Sequence, residues 1–476
     1  MKPVRTRFAP SPTGFLHVGG IRTALFAWLI ARQHNGQFIL RLEDTDKNRE
    51  VEGSGSHIIE SLQWLGLQWD EGPNKNGDFG QYKQSNRLEN YRKWAQKLID
   101  EDRAYVDPYS PEEVQKFRDE AIANKQPFLY RNHRPKNPPR WDGAQSLRFK
   151  SEPKNYNWRD EVMGDLSTGP EVIDDIIIIK SDGYPTYNFA HIVDDAEMKI
   201  THIIRGQEFL ASVPNYLNIY EALELSPPIM ATMPPVLGPS GNKKLSKRDG
   251  AKDVLDYRKE GYLPEAINNF LASLGWNDGS EQEVFAIEEL IQKFDLSKVQ
   301  KSGARFDEQR LLWLNGAHIR KLSLNDLYHK VANYWPDEAK DSDDVYKKQV
   351  LSLVQERLKY FAELPELTNF FFTDLPVNSA LISTHKQLKK LDKDNLKSLL
   401  HAAQTELQDS DFTVNDLTNR LNALLTITNT KPAVLFSLIR IAITQAPASP
   451  GLADTLAVLG KNVSLRRLDT QLQHVQ

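Results

Sequence analysis

The sequence contains no cysteine among its 476 residues. That excludes disulfides, thiol nucleophiles, iron–sulfur clusters and every zinc site built on thiolates. No run approaches the ~18 apolar residues of a membrane span. The longest aliphatic block, Ile176 to Ile179, reads as a buried strand. The first residues, MKPVRTRFAP, lack the apolar core of a signal peptide, so the expected location is the cytoplasm. Net charge is only −4, so any nucleic-acid contact has to come from local basic patches. Nothing repeats at a fixed period, which argues against a solenoid.

With 40% hydrophobic and 26% charged residues, the chain has room for several cores, about three domains by length. An apolar run, Val4 to Ala9, enters a Pro- and Gly-rich loop (PSPTGFLHVGG), and an amphipathic run from Ile21 to His34 follows. Gly36 reads as the C-cap. QFILRLED is a short strand ending in Glu43, Asp44 and Asp46, and helices are expected over 55–66 and 85–101 with loop at 71–80. This strand–helix alternation is that of a doubly wound parallel sheet.

The rhythm breaks near Tyr105, where a segment rich in Pro, Asn and aromatics reads as an inserted α+β subdomain to about Pro170. Regular α/β signals resume at VIDDIIIIKSDGYPTY, with Gly183 and Pro185 expected to turn between two strands. THIIRGQE is a strand leading into a helix over 209–224, and MPPVLGPSGNKKLSKRDGAK reads as a flexible basic loop. From Asp253 onward the periodicity is helical.

Three features carry chemistry. The opening loop has His17 beside Gly19 and Gly20 at a helix start, where backbone N–H groups can meet phosphate. Yet neither G-x-G-x-x-G nor G-x-x-x-x-G-K-[ST] is present in it. Alone, it also reads as a surface turn with His17 as a cap. Residues 241–259 carry a net +4, suited to a polyphosphate but equally to a solvated loop. Arg7, Ser11, Glu43, Tyr187, His191, Arg205 and Glu208 stand at expected strand ends, where α/β sheets bind ligands. Two arginines there suit a dicarboxylic substrate, and each singly also suits a structural ion pair. Asp194 and Asp195 read as ligands or caps alike.

Considered together, HVGG and KLSKR, 230 positions apart from His17 to Lys247, resemble the two signatures of class I aminoacyl-tRNA synthetases. FAPSPTGFLHVGG, RLEDTD, YKQSNR, SDGYPTYNFAHIVDD, THIIRGQEFL, LGPSGNKKLSKRDGA and EGYLPEAINNFLASLGW, in that order, resemble bacterial glutamyl-tRNA synthetases, densely from about residue 3 to 320.

The resemblance implies a Rossmann-type catalytic domain with an α+β insertion, followed by all-α anticodon-binding domains. Its expected divisions are 1–104, 105–190 (insertion, touching the tRNA acceptor end), 191–252, 253–320 (stem contact) and 321–476 (anticodon). The implied reaction joins glutamate to AMP at the expense of ATP with Mg2+, then transfers it to the terminal adenosine of tRNA(Glu). A non-discriminating enzyme would also charge tRNA(Gln). His17 and Lys247 are the implied catalytic residues, with Pro10, Gly19, Gly20, Lys244 and Ser246 completing the ATP site. Arg7, Ala9, Ser11, Glu43, Tyr187, His191 and Arg205 surround glutamate, with Arg7 and Arg205 on its side-chain carboxylate and Glu43 on its ammonium. Glu208 and Leu237 neighbour the adenylate and the tRNA end.

Some relatives carry zinc in the insertion. Without cysteine, and with only His133 nearby, this chain is expected to hold none. Arg248 ends the second signature in place of serine. Family precedent implies a monomer whose amino-acid activation requires bound tRNA. Glutaminyl-tRNA synthetase, the short tRNA-base glutamylating enzyme and a non-catalytic RNA-binding paralogue are the rival readings. The helical 320–476 region opposes the first two, and intact His17, Glu43 and Lys247 oppose the third.

Overall fold

The computed structural model describes residues 3–75, 77–245 and 252–475. The chain forms two compact units, Met1–Lys259 with Pro264–Leu311, and Glu260–Leu263 with Leu312–Gln476.

The first unit is built on strands β1 (Arg5–Phe8), β2 (Gln37–Leu40), β3 (Ala104–Val106), β4 (Leu147–Phe149), β5 (Tyr156–Asp160), β6 (Gly164–Thr168), β7 (Ile177–Ile179), β8 (His202–Gly206) and β9 (Ile229–Met233). Six of them make one sheet in the order β2-β1-β8-β9-β5-β6. Its neighbours are parallel except for the β5–β6 hairpin. Helices α1 (Val18–Gln33), α2 (Ser54–Trp64), α3 (Leu88–Asp100), α4 (Pro111–Ala123), α5 (Tyr187–Glu197) and α6 (Val213–Ala222) connect the strands. Val18, Ile21, Leu25, Phe26 and Leu29 of α1 are buried, at the spacing of one helix face plus its flanks. Every residue of β1 is buried, including Arg5 and Arg7. A strand buried on both faces has no alternation of polar and apolar residues to show.

Three expectations change here. Ile177–Ile179 joins β3 and β4 in a separate three-stranded antiparallel sheet and not the central one. The β5–β6 hairpin, from the segment read as inserted, instead extends the central sheet. Asp160 accepts from the Thr232 amide at 3.0 Å and its hydroxyl at 2.6 Å, which pins β5 beside β9. Finally, the Gly183 turn leads from β7 into helix α5 through a single bridge at Pro185, so there is no second strand.

Two smaller corrections are local. Asn35, at φ 49°, takes the left-handed position after α1. Gly36 is instead required by close approach, since a Cβ there would lie 2.2 Å from the Val4 carbonyl. The described part of the basic loop holds a short strand: β10 (Val236–Leu237) pairs with β11 (Ala304–Arg305), and Leu237 bridges Lys244. That strand pair also interrupts the expected all-helical region.

The small sheet carries an ionic and aromatic core around Asp107 and Asp175. The Tyr105 hydroxyl donates to Asp175 at 2.7 Å, Arg134 to Asp175 at 2.6 Å and Arg148 to Asp107 at 2.6 Å. His133 stacks on Phe117 with ring centroids 4.2 Å apart.

The second unit is helical. Its core joins Leu400, Ala403, Leu407, Leu421, Leu438, Leu456 and Leu468 from helices Lys393–Gln408, Val414–Ile427, Pro432–Thr444, Leu452–Leu459 and Lys461–His474. Asp392 and Thr413 cap the first two by accepting from Asn395 and Asp416 amides. Among the described residues no helix is long and apolar enough to cross a membrane.

Candidate active site

Parallel strands deliver their carboxyl ends to one edge of the sheet. Pairing continues past the strands, with Arg41 N donating to Phe8 O and Glu43 N to Pro10 O, each at 3.0 Å. The ends of β1, β2 and β8 thus bring Arg7, Arg41, Glu43 and Arg205 together under α5, which supplies Tyr187, His191, Asp194 and Asp195.

A chain of charged bonds runs through this cluster. Arg7 Nε donates to both oxygens of Asp195, at 3.1 and 3.3 Å. Arg41, with no exposed surface, donates through Nη1 to Asp195 Oδ1 at 2.8 Å and through Nη2 to Glu43 Oε1 at 2.9 Å. Asp194 accepts from Arg87 at 2.7 Å, Gln84 at 2.8 Å and the Tyr91 hydroxyl, and its Oδ2 also lies 3.6 Å from Arg41 Nε. Neither aspartate is a cap, because both are buried in the last turns of α5.

Three buried atoms stand out against this pairing: Glu43 Oε2, Arg205 Nη1 and the Tyr220 hydroxyl have no hydrogen-bond partner. An unmade buried bond is expensive, more so for a charged group. The Glu43 acceptor and the Arg205 donor in one cluster fit a ligand that carries both an ammonium and a carboxylate. Arg7, Arg41 and Arg87 are ion-paired within the cluster, to Asp195, Glu43, Asp194 and Glu197, whereas Arg205 has no carboxylate partner among the described residues.

Local fields set the protonation states. Burial pushes the Glu43 carboxyl up to about 7, against the opposing pull of Arg41 and Arg7. Asp195 is likewise buried, yet Arg7 and Arg41 hold it down at about 2. Burial and the Arg205 charge lower His191 to about 3, so its imidazole is neutral. Its Nδ1 lies 2.7 Å from the Tyr187 carbonyl, which places the proton on Nδ1. Burial raises the Tyr187 phenol, with Glu43 adding to the rise. Aromatic rings wall the pocket: Tyr187 stacks on His191 at 4.8 Å and on Phe209 at 4.9 Å, and the Arg205 guanidinium lies 4.9 Å from the Tyr216 ring.

The opening loop is a second group. Ser11 and His17 are exposed, and Ala9 and Pro10 are half-buried. His17 is the N-cap of α1, its Nδ1 accepting from the Gly19 amide at 3.2 Å. Gly20 has a packing reason, since a Cβ there would lie 2.9 Å from Leu16 Cδ1. A third group joins Lys244 to Glu208 at 3.3 Å, with Leu237 paired to Lys244. Ser246, Lys247 and Arg248 lie outside the described residues. Also among the described residues, no cluster of three or more His, Asp or Glu side chains could hold a metal ion.

Arg41 was missed by sequence reasoning, and Asp195 was left between two roles. The available signal was Arg41 two positions before Glu43 in RLEDTD. Residues at i and i+2 of an extended segment share a face.

The sheet order and this pocket at its carboxyl edge define a class I aminoacyl-tRNA synthetase catalytic unit. Residues 3–313 match the family model for the catalytic domain of class I tRNA synthetases (E and Q), and residues 326–472 match an anticodon binding domain model. A glutamate–tRNA ligase from Dehalococcoides mccartyi is 42% identical over 98% of this chain and 96% of its own length. One from Moorella thermoacetica is 39% identical over 98% of both. The crystal structure of a glutamate tRNA ligase from Elizabethkingia meningosepticum in complex with its amino acid superposes with a TM-score of 0.87. It is 31% identical and matched over 100% of both chains. The chain belongs to the glutamate–tRNA ligase family, and the fold expected from its motifs is the one observed.

Proposed function

We propose that the buried cluster binds L-glutamate, with its ammonium on Glu43 Oε2 and its side-chain carboxylate on Arg205 and Arg7. The observation that carries this is the pair of unpartnered buried atoms, Glu43 Oε2 and Arg205 Nη1. The side-chain carboxylate of glutamate supplies Arg205 with the acceptor that Nη1 lacks in the protein. Glutamine is isosteric but neutral, and would leave a buried guanidinium uncompensated, which disfavours the glutaminyl reading.

ATP with Mg2+ is the co-substrate. His17, Pro10, Gly19, Gly20, Lys244, Ser246 and Lys247 receive it, as the family motifs suggest, and Mg2+ travels with the phosphates. The glutamate α-carboxylate attacks the α-phosphorus of ATP and pyrophosphate leaves; a ribose hydroxyl of the terminal adenosine of tRNA(Glu) then attacks the glutamyl carbonyl and AMP leaves. Positioning and charge neutralisation supply the catalysis, without a covalent enzyme intermediate. Glu208 and Leu237 lie on the adenylate side, the small sheet with α4 meets the acceptor end, and the helical second unit reads the anticodon by stacking and base-edge bonds. The protein acts as a cytoplasmic monomer.

ATP–pyrophosphate exchange in the presence of tRNA tests the reading. Exchange should depend on glutamate and fail with glutamine, and loss of glutamate dependence would refute the pocket assignment. Charging of purified tRNA(Glu) and tRNA(Gln) separates the discriminating enzyme, which charges only the first, from the non-discriminating one.

A further inference from the structure

Helix α2 has a side-chain row that the motifs do not explain. Ser54, His57 and Ser61 recur at three- and four-residue spacing and therefore share one face. Ser54 Oγ donates to the Gly14 carbonyl at 2.7 Å, holding the opening loop against the helix start. The His57 ring lies 4.8 Å from that of Phe15, at 34°. Its Nδ1 receives the Leu16 amide at 3.4 Å, and its Nε2 lies 2.7 Å from Asp253 Oδ1. A nitrogen that accepts from an amide cannot carry a proton, so Nδ1 is bare and Nε2–H donates to Asp253.

Asp253 is the sixth residue after Lys247 and stands just before the helix Val254–Glu260. It also accepts from the Leu255 amide at 2.8 Å. The backbone reinforces the junction: His17 bridges Asp253, and the Val254 amide reaches the Leu16 carbonyl at 3.4 Å. Arg258 to Glu60, at 2.6 Å, is a second strap between the same two helices. Residues from three distant stretches, 14–17, 54–61 and 253–258, therefore converge on one imidazole.

We propose that His57 is a positioning residue for the nucleotide half of the site, clasping the turn that carries His17 to Asp253, at the start of the helix Val254–Glu260. This rests on the reading of His17 as an ATP-binding residue. The imidazole touches no reacting atom in this account. It holds the turn that carries His17 against Asp253, so its loss is felt in the nucleotide and not in the amino acid.

The test is ATP–pyrophosphate exchange with tRNA present, titrating ATP and glutamate separately. His57→Ala should raise the KM for ATP about three- to tenfold, the scale of one lost hydrogen bond, and leave the KM for glutamate within twofold. The two amide isosteres divide the clasp. His57→Asn keeps an acceptor where Nδ1 stood, His57→Gln keeps a donor where Nε2 stood, and each should recover only part of the loss. The rises in KM for ATP from His57→Ala and Asp253→Ala should combine to less than their product in the double variant, since the two share the Nε2–Oδ1 bond. His57→Ala with an unchanged KM for ATP overturns the clasp, as does an equal rise in both KM values, which would mark a merely structural residue. If His17→Ala is defective while His57→Ala is silent, only the clasp falls. If His17→Ala is itself silent, the nucleotide reading beneath it falls too.

Discussion

The amino-acid pocket and the nucleotide loop both hang from the end of β1, yet they are built in opposite ways. The pocket is fixed charge under a helix: Arg7, Arg41, Glu43, Asp195 and Arg205 are all at most 5% exposed and mostly bonded to one another. The loop is exposed side chain and backbone, held from behind by capping and by contacts with α2. Buried charges recognise a small zwitterion strongly because no water competes. An exposed loop suits a large polyanion that brings its own solvated cation.

Within the pocket the contrast sharpens in two carboxylates. Glu43 is raised from 4.5 to about 7, while Asp195 is lowered from 3.8 to about 2. Both are buried. Asp195 has two guanidiniums on it, whereas Glu43 shares one and keeps Oε2 without a partner. Glu43 therefore holds a proton in the folded protein that the unfolded chain has released between pH 4.5 and about 7. Its contribution to stability is greatest below that window and is lost as pH rises through it, a cost of about 3 kcal/mol by pH 8. Asp195 runs the other way. It contributes about 2 kcal/mol above pH 4, lost as pH falls toward 2. Structure is stabilised by the one and destabilised by the other, as expected if Glu43 awaits a ligand.

The comparison can be broken in four places. The largest effect is expected from Arg205→Ala, which should raise the KM for glutamate at least a hundredfold by removing a buried charge partner, with the KM for ATP within threefold. A matching rise for ATP would merge the two halves of the site.

Next, Glu43→Gln should weaken glutamate by about two orders of magnitude yet raise the melting temperature at pH 8. Asp195→Asn should lower it at the same pH, since it leaves Arg7 and Arg41 undercompensated. In the wild type the KM for glutamate should rise as pH falls through about 7, as Glu43 takes up its proton, and in Glu43→Gln that rise should vanish. Both variants lowering the melting temperature would show that Glu43 is structural.

A smaller effect belongs to the loop. His17→Ala should slow exchange about tenfold to a hundredfold with the KM for glutamate unchanged, and cost roughly 1 kcal/mol of stability as a lost N-cap. A glutamate-specific defect would contradict its assignment to the nucleotide. The smallest is metal removal: 1,10-phenanthroline should leave the melting temperature of the Mg2+-supplied protein unchanged, while His133→Ala should lower it slightly through the lost stack on Phe117. A chelator-induced drop would reveal a bound metal.

Much of the site was legible because its motifs are contiguous. PSPTGFLHVGG, RLEDTD and the segment from Tyr187 to Arg205 named the residues that converge. Their pairing was not legible. Arg7 was assigned to substrate and is half occupied by Asp195. Asp195 was left between ligand and cap and is the hub, and Arg41 drew no notice. Such roles depend on which of several nearby charges a side chain meets, and that is a property of packing across 188 positions, from Arg7 to Asp195. His57, for the same reason, looked like any residue of an amphipathic helix.

By itself the sequence determined the strand–loop–helix opening, the family, the absence of any thiolate metal site and the helical character of the second unit. These follow from local periodicity, turn chemistry and composition, which need no tertiary contact. Only the tertiary structure decided that β5 and β6 extend the central sheet while Ile177–Ile179 leaves it, because an aliphatic run satisfies any buried sheet and only a polar pin such as Asp160 to Thr232 chooses one. It alone also decided which of two buried carboxylates keeps its proton, since the energy of a charge depends on the partners folding brings to it.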